Sequence, residues 1–220
     1  MTSALYIAAK APRPGHVKTR LAAAIGEQAA AELYRAFLRD LAARFPEAGW
    51  YVTPLSEWRA ARDSHSVRSG RVLGQPAGDW TARQRALFRG AAARGEKRVV
   101  LIASDSPQLR SEVVGEAFRL LDRHDLVLGP VGDGGYYLIG MRGWHDVLAG
   151  IPMSTDAVLD EILESAAARG LSVGMVESTY DVDEVDDLEL LELDASARDD
   201  LPATRAALAG LSSARIAVLA

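Results

Sequence analysis

Four short stretches hold the residues able to do chemistry. The first, residues 8–26, carries Lys10, Arg13, Lys18 and Arg20 around Gly15 and two prolines, with no acidic residue before Glu27. Backbone N–H groups, side-chain cations and the start of a helix all neutralise the same kind of partner, so such a loop suits a polyphosphate. The second, SDSPQL at 104–109, sets Asp105 directly behind an apolar run, where its carboxylate can ligate a hard divalent cation or cap the next helical turn. In the third, GPVGDGGYY at 129–137, Gly132, Gly134 and Gly135 surround Asp133, either to let backbone approach a ligand or to form an Asp-Gly hairpin turn. The fourth, YDVDEVDDL at 180–188, brings Asp181 and Asp183 in just after the last apolar run. A basic loop facing strand-end aspartates suits metal-bound phosphate, because Mg²⁺ (or Mn²⁺) takes one or two protein carboxylates and completes its shell with phosphate oxygens and water.

The elements that must position these stretches follow from hydrophobic spacing. Apolar runs at 4–9, 49–53, 71–75, 98–104, 125–130, 136–141 and 171–178 predict strands, mostly buried because they hardly alternate. Helical stripes lie between them, the clearest running from Ala30 through Leu33, Tyr34, Phe37, Leu38 and Leu41 to Phe45, with Pro46 as its stop. Further stripes begin at Trp80, Val113 and Val158. Alternating strands and helices predict one α/β domain over 1–220, with a mostly parallel central sheet and helices on both faces. Ligands of such sheets bind beyond the carboxyl ends of the strands, where all four stretches fall. Residues 181–200 hold ten acids in twenty residues with leucines at helical spacing, which predicts solvated amphipathic helix. The terminal ARIAVLA, 214–220, would serve as a homodimer contact or as an extra edge strand.

Composition removes several function classes. A net charge of -5 argues against a nucleic-acid or membrane-surface partner, and the absence of cysteine rules out disulfides and thiolate metal sites. The first apolar run is too short for a signal peptide or a membrane span, so a cytoplasmic protein is expected. GHVKT, 15–19, lacks P-loop spacing because Val17 stands where glycine is required. His16, His65, His124 and His145 are scattered without zinc-ligand spacing, and no nucleophile motif is present.

KAPRPGHVKTRL, ASDSPQL, GPVGDGGYYLIG, STDAVLDEIL and DVDEVDDL stand in the order found in a bacterial family classed as glycosyltransferases and associated with radical-enzyme or selenium-related proteins. The resemblance spans residues 7 to about 192. It implies the nucleotide-diphospho-sugar transferase (GT-A) fold and similarity to 2-phospho-lactate guanylyltransferase. The resemblance further implies that Lys10, Gly15, Lys18 and Arg20 cradle phosphate, with Lys18, Arg20 and Asp105 as the catalytic set and Asp105 and Asp183 as metal ligands. Gln75, Asp79 and Arg83, in GQPAGDWTARQRALFRGA, become nucleoside contacts, while Asp133, Gly134, Gly135, Ser154 and Thr155 face the acceptor. Two departures stand out: Met153 replaces an expected aromatic residue, and Glu184-Val185 replaces Thr-Pro.

Within this fold the donor is an NTP or an NDP-sugar, and the acceptor is a small molecule. Sugar transferases usually carry two acids separated by one residue at the strand end. Here Asp105 is followed by Ser106 and Pro107, as in many nucleotidyltransferases, which favours transfer of a nucleotidyl group from an NTP with release of pyrophosphate. The clustered cations point the same way, since a triphosphate carries more charge. Glycosyl transfer from an NDP-sugar is the alternative, and a nucleotide sensor that binds without turnover is an alternative of another class.

Overall fold

The computed structural model describes residues 2–61, 65, 67, 71–153 and 155–219, with side chains up to residue 211. Its strands are β1 (Ser3–Lys10), β2 (Gly49–Thr53), β3 (Val72–Gly74), β4 (Arg98–Ala103), β5 (Leu126–Pro130), β6 (Tyr136–Arg142) and β7 (Val173–Met175). They form one seven-stranded sheet in the order β3-β2-β1-β4-β6-β5-β7. All seven predicted strands are present within a few residues of their expected bounds. Pairing is parallel except where β6 runs antiparallel to both β4 and β5. The reason is length: residues 131–135 are all that join β5 to β6, which allows a hairpin and forbids the longer crossover that parallel strands need.

The helices are α1 (Thr19–Ile25), α2 (Glu27–Arg44), α3 (Leu55–Ala60), α4 (Trp80–Ala93), α5 (Ser111–Leu120), α6 (Val158–Ala168), α7 (Asp187–Ala197) and α8 (Pro202–Leu219). They cover both faces of the sheet, and the weak alternation of the strand sequences follows from that. Ile7 and Ala9 of β1 enter one core with Leu21, Phe37, Leu41 and Val114. Their neighbours Tyr6 and Ala8 enter a second core with Leu87, Phe88 and Ile162. Both sides of each central strand are therefore apolar.

Two carboxyl-terminal expectations have different outcomes. The acidic stretch forms α7, a helix as expected, which buries Leu188, Leu191 and Ala195; with Leu190 and Leu193 both exposed, its apolar residues are not confined to one face, so the expected amphipathic pattern is weak. The alternative of an extra strand at 214–220 is corrected, because the backbone through Leu219 continues α8. α8 docks on α2, where the buried Asp40 carboxylate accepts the N–H groups of Ala203 and Thr204 at 3.0 and 2.8 Å. A carboxylate at a helix N-terminus meets unpaired donors and the positive end of the helix dipole.

The β5–β6 connection depends on one glycine. Gly134 has φ +85, and a Cβ there would lie 1.9 Å from the carbonyl oxygen of Asp156. Its own carbonyl accepts the N–H of Leu159 in the first turn of α6. Gly132, two residues earlier, has open space around it. Gly134→Ala is therefore expected to cost at least about 1–3 kcal/mol, and Gly132→Ala less than about 0.5 kcal/mol. Urea denaturation of the two variants measures the contrast, and equal losses would contradict it.

Candidate active site

A cleft of about 690 Å³ opens beyond the carboxyl ends of β1, β2, β3, β4 and β5. At its floor Lys18 is the residue preceding α1, in a left-handed backbone conformation with φ 48 and ψ 47. Buried Val17 and Leu21 anchor the chain on either side of it, and the Ala22 N–H bonds to the Lys18 carbonyl. Its ammonium has a side-chain exposure of only 3%. It forms ion pairs with Asp105 and, at 3.1 Å, with Asp183. Burial opposes the charge, but the two carboxylates outweigh it and hold the Lys18 pKa above the ordinary lysine value.

Asp105 stands two residues beyond the end of β4, so its position is set by the sheet. Of its two readings, cap or ligand, the described contact is the one with Lys18. Asp183 is brought across by the segment 179–183, which runs along the strand ends: the Thr179 N–H bonds to the Pro130 carbonyl at 3.2 Å and the Val182 N–H to the Asp105 carbonyl at 3.0 Å. Val182 is fully buried, which leaves its neighbours Asp181 and Asp183 at the surface of the cleft. The turn after Asp183 is closed by Asp187, whose Oδ2 accepts the N–H groups of Asp183 and Glu184 at 2.8 and 2.7 Å. This side-chain clasp closes the turn at Glu184-Val185, one of the two departures noted in the sequence.

Asp181, picked out with Asp183 in the sequence but given no ligand role by the resemblance, lines the same cleft. Burial above all, with the charge of Asp105 adding to it, pushes its pKa up to about 6, although the hydrogen bond from Ser106 and the nearby Lys18 pull the other way. Ser106 is itself fully buried and turned toward Asp181, and with Pro107 next the strand-end motif has a single carboxylate, Asp105.

The other predicted residues are distributed as follows. Lys10 and Arg20 line the cleft; Arg20 is 70% exposed and lies 3.9 Å from both Asp183 and Glu184. Gly15 lies off the cleft lining at φ +74, where a Cβ would meet the Glu27 carboxylate at 3.0 Å, so it shapes the loop. Gln75 and Arg83 line the cleft and touch each other, Arg83 donating to Gln75 Oε1 at 3.3 Å. Asp79 does not join them; it caps α4 by accepting the Ala82 N–H at 2.7 Å. Asp133 both lines the cleft and closes the hairpin, accepting the Gly135 N–H at 3.0 Å, so its two readings coexist. Gly135 and Thr155 are at the cleft, whereas Gly134 supports it from behind and Ser154 lies outside the described residues.

Sequence spacing hid several lining residues. Tyr34 reads as part of a core stripe, yet its hydroxyl reaches the cleft floor, bonding Ser104 at 2.7 Å and accepting the Lys10 N–H at 3.1 Å. Trp80 also reads as core but is half-buried at the cleft wall. Tyr136 donates to the fully buried Gln84 at 2.9 Å, and its neighbour Met153 occupies the place of the expected aromatic residue. The polar tip of a tyrosine within an apolar stripe was the signal available for the first and third of these.

Asp105 and Asp183 converge on one point, because a single ammonium satisfies both. Their oxygen donors suit Mg²⁺ or Mn²⁺. Among the described residues no group of three or more histidine, aspartate or glutamate side chains forms a closed metal cage. A cation here would therefore complete its shell from phosphate and water, as Mg²⁺ commonly does.

The chain is 34% identical over 180 residues, 73% of its length and 76% of the relative's, to 3-phospho-D-glycerate guanylyltransferase of Phenylobacterium zucineum (strain HLK1). It belongs to the nucleotidyltransferase family that includes that enzyme. A bacterial family described as an uncharacterized protein conserved in bacteria (DUF2064) matches residues 50–155, which span the Gln75, Asp105 and Asp133 segments. The fold superposes with a TM-score of 0.88 on a protein from Desulfovibrio desulfuricans G20 assigned as a nucleotide-diphospho-sugar transferase, at 29% identity over 97% of this chain and 96% of that one. A cytidylyltransferase from Leptospira borgpetersenii serovar Hardjo-bovis shares the fold at a TM-score of 0.55 and 12% identity, over 97% and 93% of the two chains. The resemblance read from the motifs and the expected GT-A fold are thereby borne out. No helix among the described residues is long and apolar enough to cross a membrane.

The charge state of Asp181 yields a pH prediction for the metal-free protein. With a folded pKa of about 6 against an ordinary value of 3.8, the native state keeps a proton between those pH values that the unfolded state has released. Stability should fall as pH rises through that window, and the cost should persist above it. Asp181→Asn retains an acceptor for Ser106 and removes the charge. It should flatten this decline and raise stability at pH 7.5 by up to about 3 kcal/mol. Urea unfolding in EDTA from pH 4 to 7.5 checks it, and identical slopes for both proteins would rule it out.

Proposed function

We propose that the protein transfers a nucleotidyl group from a nucleoside triphosphate, with guanylyl the best-supported choice, to a small phosphorylated or carboxylate acceptor, releasing pyrophosphate. The observation that carries the reading is the buried Lys18 ammonium, fixed between Asp105 and Asp183 at the cleft floor of a chain related to a guanylyltransferase. An acceptor oxyanion forms a bond to the α-phosphorus, and the bond from that phosphorus to the α,β-bridging oxygen breaks, its electron pair leaving with pyrophosphate. An ionised phosphate or carboxylate carries no proton on the attacking oxygen, so no general base is required.

The residues divide the work by place. Lys18 and Arg20 neutralise the triphosphate and the charge that builds on the leaving group. Gln75 and Arg83, on the β3 side, line the part of the cleft available to the nucleoside, with Trp80 beside them. Gly135, Tyr136, Met153 and Thr155, on the β6 side, form the wall facing the acceptor. Asp105 and Asp183 would hold Mg²⁺ or Mn²⁺, which when bound supplies positive charge to the phosphate oxygens.

Glycosyl transfer from an NDP-sugar uses the same phosphate and metal groups. Pro107, standing where the second acid of a sugar-transferase motif would be, weighs against it, because Asp105 is then the one acid of the strand-end motif. Incubation with each labelled NTP and a set of phosphorylated hydroxy acids, with Mg²⁺, should release pyrophosphate in step with a nucleotidylated product. Cleavage of an NDP-sugar without pyrophosphate release would make the protein a glycosyltransferase.

Arg20 gives a sharper expectation, since its side chain is mostly solvent-exposed and only loosely paired. A charge-assisted phosphate contact contributes about 1.5–3 kcal/mol. Arg20→Ala should therefore weaken triphosphate binding about tenfold or more and leave nucleoside binding unchanged. Calorimetric titration of both ligands measures the difference, and equal losses would indicate a displaced loop.

A further inference from the structure

We infer that Lys18 is a built-in counter-cation: in the nucleotide-free protein it occupies the point between Asp105 and Asp183 that a divalent cation would take, and this makes metal and nucleotide bind as a coupled pair. The inference rests on the proposed metal ligands and goes beyond them, because it concerns the order and coupling of binding.

The geometry is that of two exclusive occupants. Asp105 Oδ1 and Asp183 Oδ1 both meet the Lys18 ammonium, the latter at 3.1 Å. A metal ion ligated by those two oxygens carries its positive charge in the same place. The ammonium cannot simply retreat to water, since the Lys18 side chain is 3% exposed and its backbone is fixed by buried Val17, buried Leu21 and the first turn of α1. Phe37 packs near the ammonium, 5.9 Å from ring centre to Nζ, and offers it no anion. Metal arriving alone would thus take both partners of a buried cation and leave that cation uncompensated, which is costly.

A nucleotide changes this balance. Its phosphate oxygens offer Lys18 a replacement anion at the same floor of the cleft, so the two carboxylates become free for the metal. Without any cation, Asp105 and Asp183 would repel each other, with Asp181 close to Asp105 adding to the repulsion. Lys18 therefore also keeps the empty site assembled. Arg20 does not substitute for it, being exposed and 3.9 Å from Asp183. By linkage, whatever factor nucleotide contributes to metal affinity, metal contributes to nucleotide affinity.

The test reads metal binding directly. Free Mn²⁺ is followed by electron paramagnetic resonance in titrations of the wild type and of Lys18→Met, with and without α,β-methylene-GTP, after subtraction of the Mn²⁺ held by the nucleotide analogue alone. In the wild type, the analogue should tighten Mn²⁺ binding by about tenfold or more, within the usual range of coupling between sites. Lys18→Met should bind Mn²⁺ without analogue at least about tenfold more tightly than the wild type, and the analogue should tighten it by a smaller factor than in the wild type, since only the direct contribution of phosphate oxygens to the metal remains. A wild type that binds Mn²⁺ equally well with and without the analogue overturns the inference, whether or not the variant folds. A folded Lys18→Met protein with unchanged metal affinity overturns it as well. Absence of Mn²⁺ binding under every condition would remove the assignment of Asp105 and Asp183 as ligands and this inference with it, while pyrophosphate release would still test nucleotidyl transfer separately.

Discussion

Lys18 places a full positive charge where almost no water reaches it, and such a charge persists only where opposite charges meet it. Much of the architecture can be read as meeting that requirement. Asp105 comes from the end of a central strand, and Asp183 comes from a segment hydrogen-bonded along the strand ends. The loop that carries Lys18 leads into α1 through a left-handed residue, a conformation uncommon outside glycine that requires support from its surroundings. That support is visible in the burial of Val17 and Leu21. The charge cluster and the packing around it hold one another in place.

The mixed sheet explains why one cleft has two unlike halves. β1, β2 and β3 run parallel and bring the basic loop, Thr53 and Gln75 to a single edge. On the other side of β4 the short hairpin reverses the chain, so the start of β6, not its end, reaches the same edge. Tyr136 and the glycine turn therefore stand opposite Gln75 across the Asp105 position. A wholly parallel sheet would have sent Tyr136 to the far end. The antiparallel strand thus has a functional consequence: it supplies a second wall from a tight turn instead of from a long crossover.

The strands and the major helices were legible because apolar spacing reports burial directly. The two-sided cores around β1 and β4 show why their sequences hardly alternate. The direction of β6 was also accessible from the five-residue connection, but only by giving loop length precedence over the general expectation for alternating strands and helices. Within the site, charged residues after strand ends were easy to notice, and Lys18, Asp105 and Asp183 do meet. Asp79 and Tyr34 show the limit. An aspartate before a helix serves as a cap by local geometry, while a tyrosine in an apolar stripe reaches a cleft only because its hydroxyl extends past the core. Spacing along one element says which face a residue occupies. It does not say what lies at the tip of a long side chain, since that depends on elements distant in sequence.

The same reasoning bears on how one fold can serve two transfer reactions. Phosphate neutralisation needs only cations at the end of β1 and carboxylates able to hold a metal, and neither requirement names the bond that breaks. Discrimination has to come from groups around that shared centre. Pro107 is one: two residues after Asp105, where a second acid would stand, it leaves Asp105 as the single acid that the strand-end motif offers to the cleft. Asp187 is another, since its clasp on the N–H groups of Asp183 and Glu184 sets where the second carboxylate stands relative to the first. Neither residue needs to touch a ligand to matter. Each acts by deciding how many carboxylates face the phosphates and from which direction, and that count determines how much positive charge the centre can gather around a departing phosphate group.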